Sequence, residues 1–328
     1  MPYFLTTART AAGRSPRRRR IIGGQISGKH DWPSLGVLFH PHKKWACTGT
    51  IIAPFWVLTS AQCVRRTDIS PIPWKFIAGS GEQTSDRYDT SLSKNIYNYA
   101  AHGITATSVE RFVEHPLYKL RSTLADFDIM LVLLREPLQF QAQYDSGNTD
   151  VPSNRQHTSG GAGMTLPVFR SKVNNDVESI KNRTRISRQQ SMKVISPICL
   201  PQHPTAPGSW CFTPGWGYTM PGGYHVNKLL KHVDMGVWLP QACNSSDHFD
   251  GAITSRMLCA GNQIYNWGPC FNDEGSPLLC QSSVTNTWYV AGILTYQNCG
   301  AYRQHPSVFA DVFALSKWIR NVVGMNEN

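Results

Sequence analysis

The sequence predicts an all-β fold, a barrel or a sandwich, finished by one short helix near its C-terminus. Three observations carry this expectation. Leu35–Phe39, Ala46–Ile52 and Trp56–Thr59 are short apolar runs of strand length. Gly and Pro punctuate such runs, as at the turn around Pro41. Apolar residues at helical spacing (Phe313, Leu315, Trp318, Ile319 and Val322) mark a helix within Phe313–Val323. Hydrophobic residues make up 41% of the 328, enough for a buried core. That length suits one large domain or two ordinary ones. No apolar run approaches the roughly 20 residues a membrane-spanning helix needs.

The formal net charge is +11. Part of the excess lies in two blocks, the arginines before residue 21 and a stretch in mid-chain. Either these are a solvated tail and loop, or they attract anionic glycans or membrane surfaces. No recognition motif accompanies the charge, so nucleic-acid binding is not expected. Nine cysteines without a Cys-x-x-Cys or a zinc-like Cys/His spacing point to disulfides formed in an oxidising compartment. The odd number leaves one over. No metal and no cofactor are expected.

Several motifs follow one another in a fixed order: Trp56-Val57-Leu58-Thr59-Ser60-Ala61-Gln62-Cys63, His115-Pro116-Leu117-Tyr118, Asp126–Leu133, Cys211–Gly217, Met257–Gly261 and Cys270-Phe271-Asn272-Asp273-Glu274-Gly275-Ser276-Pro277-Leu278. Together they resemble the chymotrypsin/trypsin-like serine endopeptidases. The resemblance covers most of Ile21 to Val323. It implies two six-stranded antiparallel β-barrels packed face to face, the cleft between them, and one such domain over residues 21–328.

Along the chain, residues 1–20 carry no acidic residue and end in Arg17-Arg18-Arg19-Arg20. They read as a propeptide-like tail, a basic disordered tail or, less simply, an organellar transit segment. An apolar signal-peptide core is not visible, which conflicts with secretion unless the sequence is truncated or mis-assembled at its start or is part of a longer secreted precursor. The family pattern implies cleavage at Arg20-Ile21, the new ammonium then pairing with Asp273.

Family members pass quickly from the strand after Asp128 to the turn matched by Pro197-Ile198-Cys199-Leu200-Pro201. Here most of 141–193 is extra, rich in Ser, Asn, Gly, Arg and Gln. A stretch this long is a disordered loop, retained non-coding sequence or a binding element. By the family pattern, Cys47 pairs with Cys63, Cys211 with Cys280, Cys243 with Cys259 and Cys270 with Cys299. Cys199 is left over: it is unpaired, or its partner lies on another chain or on missing sequence. Asn182 and Asn244 begin glycosylation sequons.

The chemistry departs from the pattern. In the family a Ser attacks the carbonyl, a His takes its proton and an Asp orients the His. Asp128 matches the last. Gln62 stands in the place of the His, and a carboxamide cannot shuttle a proton near neutral pH. Gln62 can still donate its amide to Asp128. Glu274 stands in the place of the Ser and attacks amides poorly. Its carboxylate is expected to fold onto the N–H groups that would hold an oxyanion. Asn272 replaces a Gly in that oxyanion-hole segment. Ser276 has no His placed beside it by any motif. The specificity-pocket positions are Gly268, Thr295, Tyr296, Gln297 and Ser307; none is acidic, so nothing selects Lys or Arg. The expectation is an extracellular, catalytically inactive homologue acting by protein binding: a cofactor, decoy or regulator in a proteolytic pathway. The alternatives are an active endopeptidase and a basic protein that binds anionic glycans or surfaces.

Overall fold

The computed structural model describes residues 24–28, 31–43, 45–67, 69–79, 104–120, 124–140, 195–218, 229–262, 267–297, 299 and 305–325. The Arg20-Ile21 bond, the stretch 141–193 and Asn182 lie outside these residues. In chain order the strands are β1 (Gln25–Ile26), β2 (Leu35–His40), β3 (Trp45–Ala53), β4 (Trp56–Thr59), β5 (Lys75–Ala78), β6 (Thr105–Glu114), β7 (Lys119–Leu120), β8 (Ala125–Asp126), β9 (Met130–Leu134), β10 (Trp210–Gly215), β11 (Lys231–Val237), β12 (Met257–Gly261), β13 (Pro277–Gln281), β14 (Trp288–Tyr296) and β15 (Ser307–Asp311). Three helices accompany them among the described residues: α1 (Ala61–Arg65), α2 (Pro240–Cys243) and α3 (Ser316–Val323).

Strands β2, β3, β4, β9, β6 and β5 close into one antiparallel barrel. Strands β11, β10, β13, β14, β15 and β12 form the second, closed by the β11–β12 pairing, with β1 added along β11. Closure leaves no exposed edge within either ring. The β11 residues show how the sequence does this. Lys231, Val233, Met235 and Val237 face inward, alternating with half-exposed His232, Asp234 and Gly236.

Each barrel has its own apolar interior. Leu38, Ile51, Val57, Phe76 and Val132 fill the first. Val233, Met235, Leu278, Ala291 and Phe309 fill the second. A third cluster joins them, with Ile52, Leu58 and Leu131 packed against Leu279, Ile293 and Ile319. Helix α3 belongs to this junction through Ile319, Trp318 and Val322. It begins at Ser316, three residues later than its apolar spacing suggests. Asp311 is the reason: its Oδ1 accepts the N–H groups of Phe313 and Ala314 and holds them in a turn.

All four expected disulfides form: Cys47–Cys63, Cys211–Cys280, Cys243–Cys259 and Cys270–Cys299. Cys199 is exposed and carries no bridge. Among the described residues no helix is long and apolar enough to cross a membrane.

Candidate functional site

Gln62 sits in the first turn of α1, a five-residue helix that the Cys47–Cys63 bridge ties to β3. Ser60 caps the helix, its Oγ accepting the N–H of Cys63. The same hydroxyl donates to Asp128 Oδ2 at 2.8 Å. The main-chain N–H of Gln62 donates to Asp128 Oδ1 at 2.8 Å. The expected side-chain bond from Gln62 to Asp128 is not made. The Gln62 amide Nε2 instead donates to the carbonyl of Thr295 and lies 3.4 Å from its Oγ1. The backbone of α1 already serves the carboxylate, and the carboxamide turns to β14 instead.

Asp128 is wholly buried. Loss of water pushes its carboxyl up to about 6, against the pull of hydrogen bonds from the Gln62 N–H, Thr295 and Ser60. These donors hold it in place.

Glu274 lies in the loop between Cys270 and β13 and is 1% exposed. Its Oε2 accepts the N–H of Asn272 at 2.8 Å. Its Oε1 accepts Arg66 Nη1 at 2.8 Å and Gln297 Nε2 at 2.9 Å. Three donors therefore compensate a carboxylate removed from water. Asn272 has φ 71°, a left-handed conformation that Asn tolerates better than most side chains. Gly275, at φ 83°, lets the loop pass against the first barrel. A Cβ there would collide with both the Thr48 carbonyl and the Thr59 hydroxyl. Thr48 N–H reaches back to the Glu274 carbonyl at 3.2 Å.

Beside Glu274, Asp273 points the other way. Its buried carboxylate accepts Gly217 N–H at 2.6 Å and Cys270 N–H at 2.9 Å. Gly217 leaves it room, since a Cβ there would collide with Asp273 Oδ2. Ser276 is fully buried and its Oγ would lie 3.1 Å from a Cβ on Gly215, the glycine that Asp273 also approaches. Among the described residues a serine–histidine contact is found between Ser27 Oγ and His232 Nδ1, at 2.9 Å. Ser27 is buried beneath Trp32, whose Nε1 donates to it, and the pair lies outside the contacts that hold Gln62, Asp128 and Glu274.

The pocket positions also come together. Gly268 faces Ser307, with a Cβ on the glycine reaching 4.0 Å from the Ser307 Oγ. Thr295 and Tyr296 end β14, where Tyr296 pairs with Val308. Gln297 folds over to Glu274. Arg66 is the residue that motif reading missed. Its signal was its position, four residues after Gln62 and therefore on the same helical face. Asn244, the second sequon residue, is half-buried, and its amide bonds Ile253 both ways, N–H to carbonyl and carbonyl to N–H.

The arrangement brings together two carboxylates (Asp128 and Glu274), two amides (Gln62 and Gln297) and the Arg66 guanidinium where the two barrels meet. Such groups can donate and accept hydrogen bonds and carry charge. The hydroxyl bonded to Asp128 is that of Ser60, which also caps α1.

Comparison with known proteins agrees with this architecture. The family model described as Trypsin matches residues 21–167 and 153–319. Transmembrane protease serine 5 of Homo sapiens is 26% identical over 312 residues, which is 94% of this chain and 53% of the relative. The chain thus spans about half the length of that curated relative.

Proposed function

Since the chain belongs to the trypsin family of serine proteases, we propose that it is a member that has exchanged peptide hydrolysis for binding. One observation carries this reading. Glu274 fills the nucleophile's position and folds back onto the Asn272 N–H, one of the donors an oxyanion would need. A negative charge already occupies the place where negative charge would develop in a tetrahedral intermediate. The carboxamide of Gln62 supplies no proton shuttle to offset this. In a related mechanism, loss of either the Ser or the His alone costs about a million-fold in turnover.

The module that binds is residues 21–328, acting as a cofactor, decoy or regulator of other proteases in an oxidising, extracellular setting. The four disulfides support that setting. Processing at Arg20-Ile21 belongs to the same reading. Asp273 is retained and buried, with its carboxylate turned to Gly217, which suits it to receive a newly freed ammonium.

The test is labelling with a fluorophosphonate beside an active trypsin-family enzyme. The purified chain, cut or uncut, should take up no label and turn over no peptide substrate. Stoichiometric labelling, or multiple turnovers by a contaminant-free sample, would sink the proposal and favour the peptidase reading.

A further inference from the structure

A pair of imidazoles behind the cleft wall has no part in the site described above. His248 Nδ1 lies 3.3 Å from His305 Nδ1. Two ligands held at about 2.0–2.1 Å around a tetrahedral zinc ion are separated by about 3.3 Å. The two nitrogens thus already stand at the spacing such an ion imposes. We propose that His248 and His305 form a two-imidazole site for a borderline divalent transition metal, zinc foremost.

The rings are held for this. His248 meets the edge of Trp238 at 5.0 Å between centroids, and Phe249 meets His305 at 6.0 Å. The loop that carries His248 is closed by the reciprocal bonds between Asn244 and Ile253 and rooted at Cys243–Cys259. Such bracing keeps the two nitrogens converged without a metal to hold them. Both histidines are half-buried, so an ion can reach them.

In the metal-free protein one Nδ1–H donates to the other Nδ1 lone pair. Metal binding needs both lone pairs. The shared proton leaves Nδ1 for solvent while the ring takes the Nε2–H tautomer. Imidazole nitrogen suits zinc, copper and nickel and disfavours magnesium and calcium. Among the described residues no group of three or more His, Cys, Asp or Glu gathers to hold a metal. Two protein ligands leave the remaining positions to water or to a side chain of a bound protein. The site is also linked to the cleft, because Phe249 packs on Tyr296 at 5.6 Å. An occupied site stiffens the wall from behind.

The experiment titrates zinc chloride into the full chain in a non-chelating buffer, read by calorimetry and by thermal shift. His248→Ala and His305→Ala are compared with His203→Ala, a control at an exposed site. His248→Phe keeps the aromatic contact with Trp238 and removes the nitrogens. The expected result is one zinc per chain with micromolar affinity and a raised melting temperature. His248→Ala, His305→Ala and His248→Phe should each weaken binding at least tenfold, and His203→Ala should not. Melting temperatures without zinc separate lost binding from lost folding. Absence of saturable binding up to millimolar zinc would overturn the proposal and leave a simple N–H···N bond. So would binding that persists unchanged in His248→Phe.

Discussion

Arg66 Nη1 lies 2.8 Å from Glu274 Oε1, and the two side chains are 47% and 1% exposed. A guanidinium on the rim of the first barrel thus pairs with a carboxylate sealed at the second. The contact spans 208 residues of sequence. It fixes the orientation of Glu274, since its Oε2 must then face the Asn272 N–H.

Removing Arg66 leaves a shielded carboxylate with fewer donors. Arg66→Ala should cost about 1–2 kcal/mol, below the figure for a fully buried pair because the guanidinium is half in water. Glu274→Gln should also destabilise, since the amide oxygen can serve the Asn272 N–H while its NH2 then faces the Arg66 and Gln297 donors. A double-mutant cycle in urea should return a coupling of about 1 kcal/mol, smaller at high salt. A coupling indistinguishable from zero would show that the pair does not hold the carboxylate.

Restoring chemistry requires two changes together. Glu274→Ser alone should stay unlabelled by a fluorophosphonate, because no base activates the hydroxyl. Gln62→His combined with Glu274→Ser should label slowly, since Asp128 is already in place to orient an imidazole. Labelling of the Glu274→Ser single variant would mean that some other base serves the cleft.

Asp128 should make stability fall with rising pH over a defined window. Its carboxyl ionises at about 6 in the fold and near 3.8 in the unfolded chain. Between those values the folded state binds more protons, so stability drops as pH climbs through the window and stays reduced above it. Asp128→Asn removes the buried charge; its carbonyl can accept the Gln62 N–H while its NH2 donates to the Ser60 oxygen, whose hydroxyl proton rotates away. The variant should exceed the parent by roughly 1–3 kcal/mol at pH 7.5. The gap should close near pH 4. Urea melts at the two pH values measure this, and a variant less stable at pH 7.5 would contradict it.

The pocket predicts indifference to basic side chains. Gly268 and Ser307 face each other without a carboxylate. Benzamidine, a flat cation, should show no saturable binding up to millimolar concentration. This should hold in the parent and in the double variant that combines Gln62→His with Glu274→Ser. Micromolar binding by calorimetry would reveal a negative charge in the pocket.

Much of this was legible in the sequence where a motif fixed a residue to a place. Gln62 is bonded to Asp128 through its backbone and Glu274 to Asn272, each on the segment its motif marks, and the four cysteine pairings follow. Other strands went unread, β6 and β11 among them. In β6 the buried Thr107 and Val109 sit among polar neighbours, so its alternation is faint. In β11 a buried lysine, Lys231, breaks the apolar rhythm; its Nζ reaches the Gly24 carbonyl at 3.5 Å. Contacts between distant segments were beyond reach for a different reason. Spacing puts Arg66 on the helical face of Gln62, but it does not name Thr295 or Glu274 as their partners. Those choices depend on how one barrel is seated on the other.

The cysteine bridges divide cleanly between the two halves. Cys47–Cys63 closes within the N-terminal half, and the other three close within the C-terminal half. A single nick between residues 141 and 194 would therefore sever the only covalent tie between the halves. Detergent and heat should then part them on a gel run without reductant. In native buffer the greasy seam of Ile52, Leu58, Leu279 and Ile293 should keep the nicked molecule in one piece.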